Sequence, residues 1–205
     1  MKRILITAVV GALCLAASGS HAANVVEEWG GVKAPPPALK SVQVDPKTTA
    51  LLMLDFMNQN CAKRPRCVAS IPGVKKLLAA ARAAKATVVY SIIANTTTAD
   101  VMKDVAPEAN EPHVQAGPDK FLHTDLERIL KDKGIKTVIA VGTSSNGAVL
   151  FTSAGAAFRG MDVVIPVDGM SAADAVPEYA TVLDFQTAPS VANKTTLTTT
   201  DQVKF

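Results

Sequence analysis

Aromatic side chains are scarce in this chain of 205 residues: one Trp, two Tyr and six Phe, 4% in all. Basic residues are not interleaved with aromatics anywhere, so the stacking platforms of single-stranded nucleic-acid binders are missing and nucleic acid is not expected as a partner. Charge of either sign is equally undersupplied. The 21 Lys and Arg face 18 Asp and Glu, a net charge of +3, and no basic or acidic block stands out. Cysteine and histidine are limited to three each. His113 and His123 lie apart from the cysteines, so no metal site of the Cys/His type is expected, and no cofactor. No apolar run reaches the ~20 residues that a membrane-spanning helix requires.

The longest apolar stretch, Ile4 to Ala17, follows Lys2 and Arg3 and leads to Ser20-His21-Ala22, a small-x-small cleavage signature. Residues 1–22 therefore read as a secretory signal, with export to the periplasm or beyond and no membrane attachment after cleavage. Cys14 follows Leu13 rather than a small residue, which argues against a lipid anchor. Cleavage removes Lys2 and Arg3, leaving 19 basic residues against 18 acidic and a net charge of +1. It also removes Cys14. Cys61 and Cys67 remain, an even number bound for an oxidising compartment, in the run CAKRPRC. A disulfide is the expected reading; a metal or redox pair has no third ligand nearby.

Residues 23–47, with Gly30-Gly31, the triple proline 35–37 and Trp29, read as an N-terminal arm anchored by the tryptophan. From 48 to 205 the chain reads as one domain, long enough to bury its own core. Apolar strands are expected at Ala50–Leu54, Thr87–Ala94, Lys136–Val141, Asp162–Val167 and Thr195–Thr199. Between them fall helices. One opens at Pro72-Gly73 and sets Val74, Leu77, Leu78 and Ala81 on one face. A second is announced by a capping box at Thr124-Asp125-Leu126-Glu127 and ended by Gly134. A third covers Ala148–Arg159, and a fourth spans Ala172–Phe185 with an interruption near Pro177. Residues 95–119, polar and broken by Pro107, Pro112 and Pro118, read as a lid or binding loop. Alternating strands and helices predict a parallel sheet covered on both faces, with Asp55, Gly142 and Asp168 gathered at one edge of it.

Ligands of open parallel sheets bind beyond the carboxyl ends of the strands. Asp55 ends the run ALLMLD and brings a carboxylate there, either as a general acid or base or as a turn carboxylate. Asp168 ends VVIPVD and reads as a structural tie between loops. The run KTVIAVGTSSNGAVLFTSAGAAFRG, residues 136–160, reads as strand, polar turn and helix. The amides of Gly147, Ala148 and Val149 are candidate donors to an oxyanion, with Ser145 and Asn146 adding polar contacts or merely capping the helix. Thr143, Ser144 and Ser145 have no histidine placed to activate them, so a Ser-His-Asp triad is a weak reading.

This last segment resembles the signature of the isochorismatase-like (cysteine hydrolase) family. Gly142, Ser145, Val149 and Thr152 fall on its pattern, Ser153 replaces its final alanine, and Ala148 stands where the family has its catalytic cysteine. LLMLDFMNQN resembles the family's opening motif, with Asp55 and Asn58 in register and Met57 and Gln59 departing from it. The resemblance covers about residues 48–205. It implies a three-layer α/β/α sandwich with a mostly parallel sheet, a small-molecule substrate and a homo-oligomer. It also implies a catalytic lysine after the second strand. Lys120 is one candidate and Gln115, in a gapless register, the other; a surface lysine paired with Asp119 is the bland alternative. Phe121 beside it is a candidate substrate contact. The metal-ligand cluster of the nicotinamidase branch has no counterpart in SIIANTTTAD.

With Ala148 in that place the thioester route of the family's amidases is closed. The family's isochorismatases, which cleave a vinyl ether, do without the cysteine: an aspartate protonates the methylene carbon and water adds to the oxocarbenium ion. Two readings follow. One is an exported hydrolase with Asp55 as general acid/base and Lys120 as its electrostatic partner. The other is a non-catalytic periplasmic small-molecule-binding pseudoenzyme, or a structural oligomer of the same fold, with Phe121 or Met57 filling the cleft.

Overall fold

The computed structural model of the protein describes residues 24–31 and 34–205. The proposed signal, 1–22, lies outside them. Two units divide at Pro35 and Pro36. In the first, Trp29–Gly31 forms a single 3₁₀ turn, with the Gly31 amide donating to the Glu28 carbonyl at 2.8 Å. The second unit contains all the other elements. They begin with β1 (Val42–Gln43), which lies parallel to the terminal β9 (Val203–Lys204). The Lys40 amide adds a bond to the Leu197 carbonyl, so the chain is paired with its own C-terminal segment well before residue 48.

Six strands form the main sheet: β2 (Thr49–Leu54), β3 (Thr87–Ile92), β4 (His113–Gln115), β5 (Thr137–Thr143), β6 (Asp162–Pro166) and β8 (Thr195–Thr198). Their order is β4-β3-β2-β5-β6-β8, and β7 (Met170–Ser171) adds to the end of β5. Every pairing is parallel. Parallel strands joined by helices are buried on both faces, which is why they are apolar throughout instead of alternating. The two faces still separate by parity. Leu51, Met53, Val88, Tyr90, Ile139 and Val141 pack on one side against Val74, Leu77, Leu78 and Ala81 of α2 (Pro65–Ala83). Ala50, Leu52, Leu54, Val89, Val138, Ala140, Val163 and Ile165 face the other side. There they meet α3 (Leu126–Asp132), α4 (Leu150–Phe158) and α5 (Ala175–Thr187). This is the three-layer α/β/α sandwich.

Several boundaries differ from the sequence reading, each for a physical reason. Helix α2 begins at Pro65, not at Pro72-Gly73; Pro65 takes the first helical position, where a missing amide costs nothing. Pro72 then lies inside the helix. The carbonyl it leaves without its helical donor belongs to Val68, an exposed residue on the outer face of the helix. Pro177 falls in the first turn of α5 and does not interrupt it. The segment 95–119 is no structureless lid: it holds two 3₁₀ turns and edge strand β4, and it buries Val101 and Val105. Thr124 and Glu127 do not form a reciprocal box. Thr124 accepts from the Leu126 amide at 3.1 Å, whereas Glu127 binds Arg159. Gly134 does end α3, at φ +65. Among the described residues no helix is long and apolar enough to cross a membrane.

Candidate active site

The centre of the sheet brings β2 and β5 side by side, and their carboxyl ends carry Asp55 and Gly142. Leu54 pairs with Gly142 so closely that a β-carbon at 142 would stand 2.2 Å from the Leu54 carbonyl oxygen, so only glycine fits. Beyond the strand Asp55 adopts φ 54, a left-handed conformation that aspartate and asparagine tolerate best. Asp55 is 5% exposed, and both carboxylate oxygens are engaged. Lys120 Nζ donates to Oδ2 at 2.7 Å, and Ser91 Oγ, at the end of β3, donates to Oδ1 at 2.6 Å.

Lys120 is 1% exposed, an extreme rarity for lysine without a partner. Two backbone carbonyls also receive its ammonium, Gly117 at 2.8 Å and Ala116 at 3.4 Å. Its own amide donates to Thr152 Oγ1 of α4 at 3.2 Å, which ties the lysine segment to the helix. The open choice between Lys120 and Gln115 is thus decided by reach. Gln115 Nε2 is held by the Ile93 and Thr96 carbonyls, at 2.9 and 3.3 Å, away from Asp55. Asp119, the alternative partner of Lys120, accepts from the Phe121 amide instead.

Beside this ion pair opens a cavity of about 560 Å³. Its lining includes Asp55, Arg64, Asn60, Asn95, Thr143, Ser144, Gly147 and Ala148. The turn from β5 to α4 does not start a regular helix at Ala148. Residues Ser145–Val149 form one π-helical turn, and α4 follows at Leu150. The Ser144 carbonyl accepts from the Gly147 amide at 3.1 Å and from the Val149 amide at 3.2 Å. Two of the three amides expected to receive an oxyanion are therefore occupied.

The family model of the isochorismatase domain matches residues 49–199. The chain belongs to the isochorismatase family. Its members are hydrolases. No curated protein matches it in sequence. Among solved structures, a cysteine hydrolase from Pseudomonas syringae pv. phaseolicola superposes with a TM-score of 0.70 at 20% identity, over 82% of this chain and 96% of that one. An isochorismatase-like hydrolase from Alkaliphilus metalliredigens gives 0.67 at 24% identity, over 76% and 96%. An N-carbamoylsarcosine amidase from Thermoplasma acidophilum gives 0.64 at 20% identity, over 75% and 97%. At such identities the superpositions establish the fold.

Within this isochorismatase fold the proposed site residues part company. Asp55, Lys120, Gly147 and Ala148 converge; Ala148 is 3% exposed on the cavity wall. Ser145 does not reach the cavity. It is fully buried on the α5 side, with its hydroxyl 3.5 Å from Thr181 Oγ1. Asn146 is exposed and accepts from Ser144 Oγ. Phe121 is a core residue, not a substrate contact: its ring packs against Gly155, where a β-carbon would come within 2.9 Å, and beneath the Arg159 guanidinium, 4.2 Å from the ring centre. Met57 is wholly buried in the other core and does not line the cavity. Asp168 ties loops, accepting from the Thr200 amide and hydroxyl, both at 2.7 Å.

Cys61 and Cys67 form a disulfide that joins α1 (Asn58–Cys61) to α2. Ser91 and Arg64 were not singled out in the sequence. Ser91 had a faint signal, being a polar residue near the carboxyl end of the apolar run VVYSII. Arg64 had none among the cluster Lys63, Arg64 and Arg66. Among the described residues no group of three or more His, Cys, Asp or Glu is arranged to hold a metal ion.

Proposed function

We propose that this isochorismatase-family protein is an exported hydrolase that acts on a small molecule without a cysteine nucleophile, with Asp55 as the general acid/base. One observation carries the proposal: a buried Asp55–Lys120 ion pair at 2.7 Å borders a cavity lined by Ala148, the residue that by resemblance stands where the family has its cysteine. Removing two charges from water costs several kcal/mol per ion, and apolar residues of similar volume are often as stable or more so. A pair retained on a cavity wall at that cost is better explained by chemistry than by stability. Lys120 is fixed by the Gly117 and Ala116 carbonyls and holds the Asp55 carboxylate still. Ala148 leaves room beside it. In vinyl-ether hydrolysis Asp55 takes up a proton, from the Lys120 ammonium or from water, and passes it to the methylene carbon; water adds to the oxocarbenium ion and returns a proton to Asp55, and the hemiketal so formed collapses to carbonyl and alcohol. Export rests on the basic, apolar and small-x-small run of residues 1–22, and self-association on the family resemblance.

The alternative is a non-catalytic small-molecule-binding pseudoenzyme of the same fold. It draws support from the saturation of the site: both Asp55 oxygens already accept hydrogen bonds, and the Gly147 and Val149 amides are spent on Ser144. The deciding experiment is a turnover screen of the purified protein across vinyl ethers, amides and esters, with Asp55→Asn as control. Turnover that disappears in Asp55→Asn and survives iodoacetamide supports the hydrolase. A covalent adduct on Ser144 or Ser145 sinks the mechanism, and ligand binding without turnover favours the pseudoenzyme.

A further inference from the structure

The described residues include five arginines, and four of them face carboxylates: Arg66 with Glu178, Arg82 with Glu111, Arg128 with Asp125 and Asp132, and Arg159 with Glu127. Arg64 is the exception. Among the described residues no carboxylate lies within 4.0 Å of its guanidinium. It is also the one arginine that lines the carboxyl-edge cavity.

Its backbone is held from both sides. The Arg64 amide donates to the Cys61 carbonyl at 2.9 Å, and its carbonyl accepts from the Val68 amide at 3.0 Å. The Cys61–Cys67 disulfide closes the loop around it, and Pro65 follows directly. The half-buried guanidinium donates through Nη1 to Thr143 Oγ1 at 3.3 Å. Thr143 spends its own proton on the Ser171 carbonyl at 3.2 Å, so toward Arg64 it acts only as an acceptor. One N–H of the fork is thereby oriented, and the rest have no anionic partner. The charge of the cavity points the same way. Asp55 is neutralised by Lys120, and Arg64 is the only other charged residue in the lining. One positive charge remains uncompensated in a space of about 560 Å³.

We propose that Arg64 is the anchor for a carboxylate on the ligand, so that the natural substrate is a small organic acid whose reactive bond lies between Arg64 and Asp55. The planar guanidinium fork matches a carboxylate with two parallel hydrogen bonds, and such charge-assisted pairs fix orientation as well as affinity. This rests on the reading of the cavity as the substrate site, but not on catalysis. Lys63 and Arg66, on either side in the same loop, do not line the cavity, so the assignment belongs to one residue.

The test measures binding, without turnover. Benzoate and phenylacetate are titrated calorimetrically into the purified protein beside benzyl alcohol and 2-phenylethanol, their neutral counterparts. The wild type is expected to prefer each carboxylate by about tenfold or more, the scale of one charge-assisted interaction. Arg64→Met keeps the stem and removes the fork, so the preference should collapse to near unity. Lys63→Met, which removes a neighbouring charge that does not line the cavity, should keep it. A merely structural Arg64 would lower the melting temperature in Arg64→Met and leave the preference intact, which would overturn the assignment. So would carboxylates binding no better than alcohols, or not at all, to the wild type. An inactive protein that retains an Arg64-dependent preference refutes the hydrolase alone. Turnover confined to neutral substrates refutes the carboxylate anchor alone.

Discussion

Two cavities at opposite edges of one sheet are lined by charged residues, yet they are built differently. At the amino edge a space of about 290 Å³ is lined by Arg82, Lys85, Glu108, Glu111 and Lys133. Arg82 faces carboxylates there: Nε and Nη2 grip Glu111 at 2.9 and 2.7 Å, and Nη2 also donates to the Ala106 carbonyl at 3.0 Å and to Tyr90 Oη at 3.3 Å. The Tyr90 hydroxyl donates in turn to the Val105 carbonyl at 2.9 Å. Side chain and backbone form a closed network that pins the 102–111 segment to α2 and β3. At the carboxyl edge, Asp55 and Lys120 form an equally closed pair, but Arg64 beside them is open. Charges that satisfy one another hold a fold together; a charge left with spare donors above a cavity is available to a ligand.

The sharpest way to break this comparison is to neutralise one carboxylate at each edge. Asp55→Asn retains the shape and suits φ 54, but it cannot transfer the proton, and turnover should fall by ~10²–10⁴-fold. Glu111→Gln should leave turnover per folded molecule unchanged. Equal losses in the two variants, from steady-state rates normalised to folded protein, would erase the functional distinction between the edges.

Second in size is the stability of the closed pair. Lys120→Met strands a buried Asp55 carboxylate and should cost about 3–5 kcal/mol, read from urea unfolding. The charge left behind is buried at the carboxyl edge, whereas Glu108 remains beside Arg82 after Glu111→Gln, at 3.5 Å. The amino-edge variant should therefore lose less.

The disulfide supports only the carboxyl-edge side of the comparison. Replacing Cys61 and Cys67 by alanine frees a loop closed over a separation of six, which chain-entropy arithmetic puts at about 2 kcal/mol. Carboxylate preference should weaken in this variant too, because Arg64 loses the closure of its loop. Calorimetry that finds the preference untouched would mean that Thr143 alone positions the guanidinium.

The smallest effect belongs to Tyr90. Burial, and then the charge of Glu111, push its phenol well above the ordinary range. The sign follows from linkage. Below the unfolded value of ~10 both states are protonated and nothing is lost; above it the unfolded chain releases a proton that the folded one retains, so stability declines with rising pH. Tyr90→Phe should cost about 1 kcal/mol for the lost bond to Val105 at neutral pH and should flatten the alkaline decline. Urea midpoints of both proteins at pH 8 and pH 11 would show whether the slope belongs to Tyr90.

The layered fold was legible because buried parallel strands are apolar from end to end, and ALLML, TVVYSI, TVIAV and DVVIP announced themselves. Asp55 was legible as a charge at the end of such a run. Lys120 was one of two candidates, since counting residues cannot say which side chain reaches back across a loop. Helix starts were less readable where two prolines competed: Pro65 and Pro72 are both suited to a first turn, and the choice fell to Pro65, inside the loop closed by Cys61 and Cys67. The misplacement of Ser145 and Asn146 has one cause. A π-helical turn rotates successive side chains differently from an α-helical one, and the i to i+5 bond that makes it, from the Val149 amide to the Ser144 carbonyl, leaves no trace in residue type.

The sequence by itself determined the five main apolar strands, the carboxylate at the edge of β2 and the cysteines available to pair, because each follows from local hydrophobicity, chain spacing or residue type. Tertiary structure alone decided the partners. Asp55 is reached by Lys120 across 65 residues and by Ser91 across 36; Arg64 meets Thr143 across 79 and no acid. Such pairings depend on which loops the packed sheet brings to one edge, and on which hydrogen bonds are satisfied before any ligand arrives.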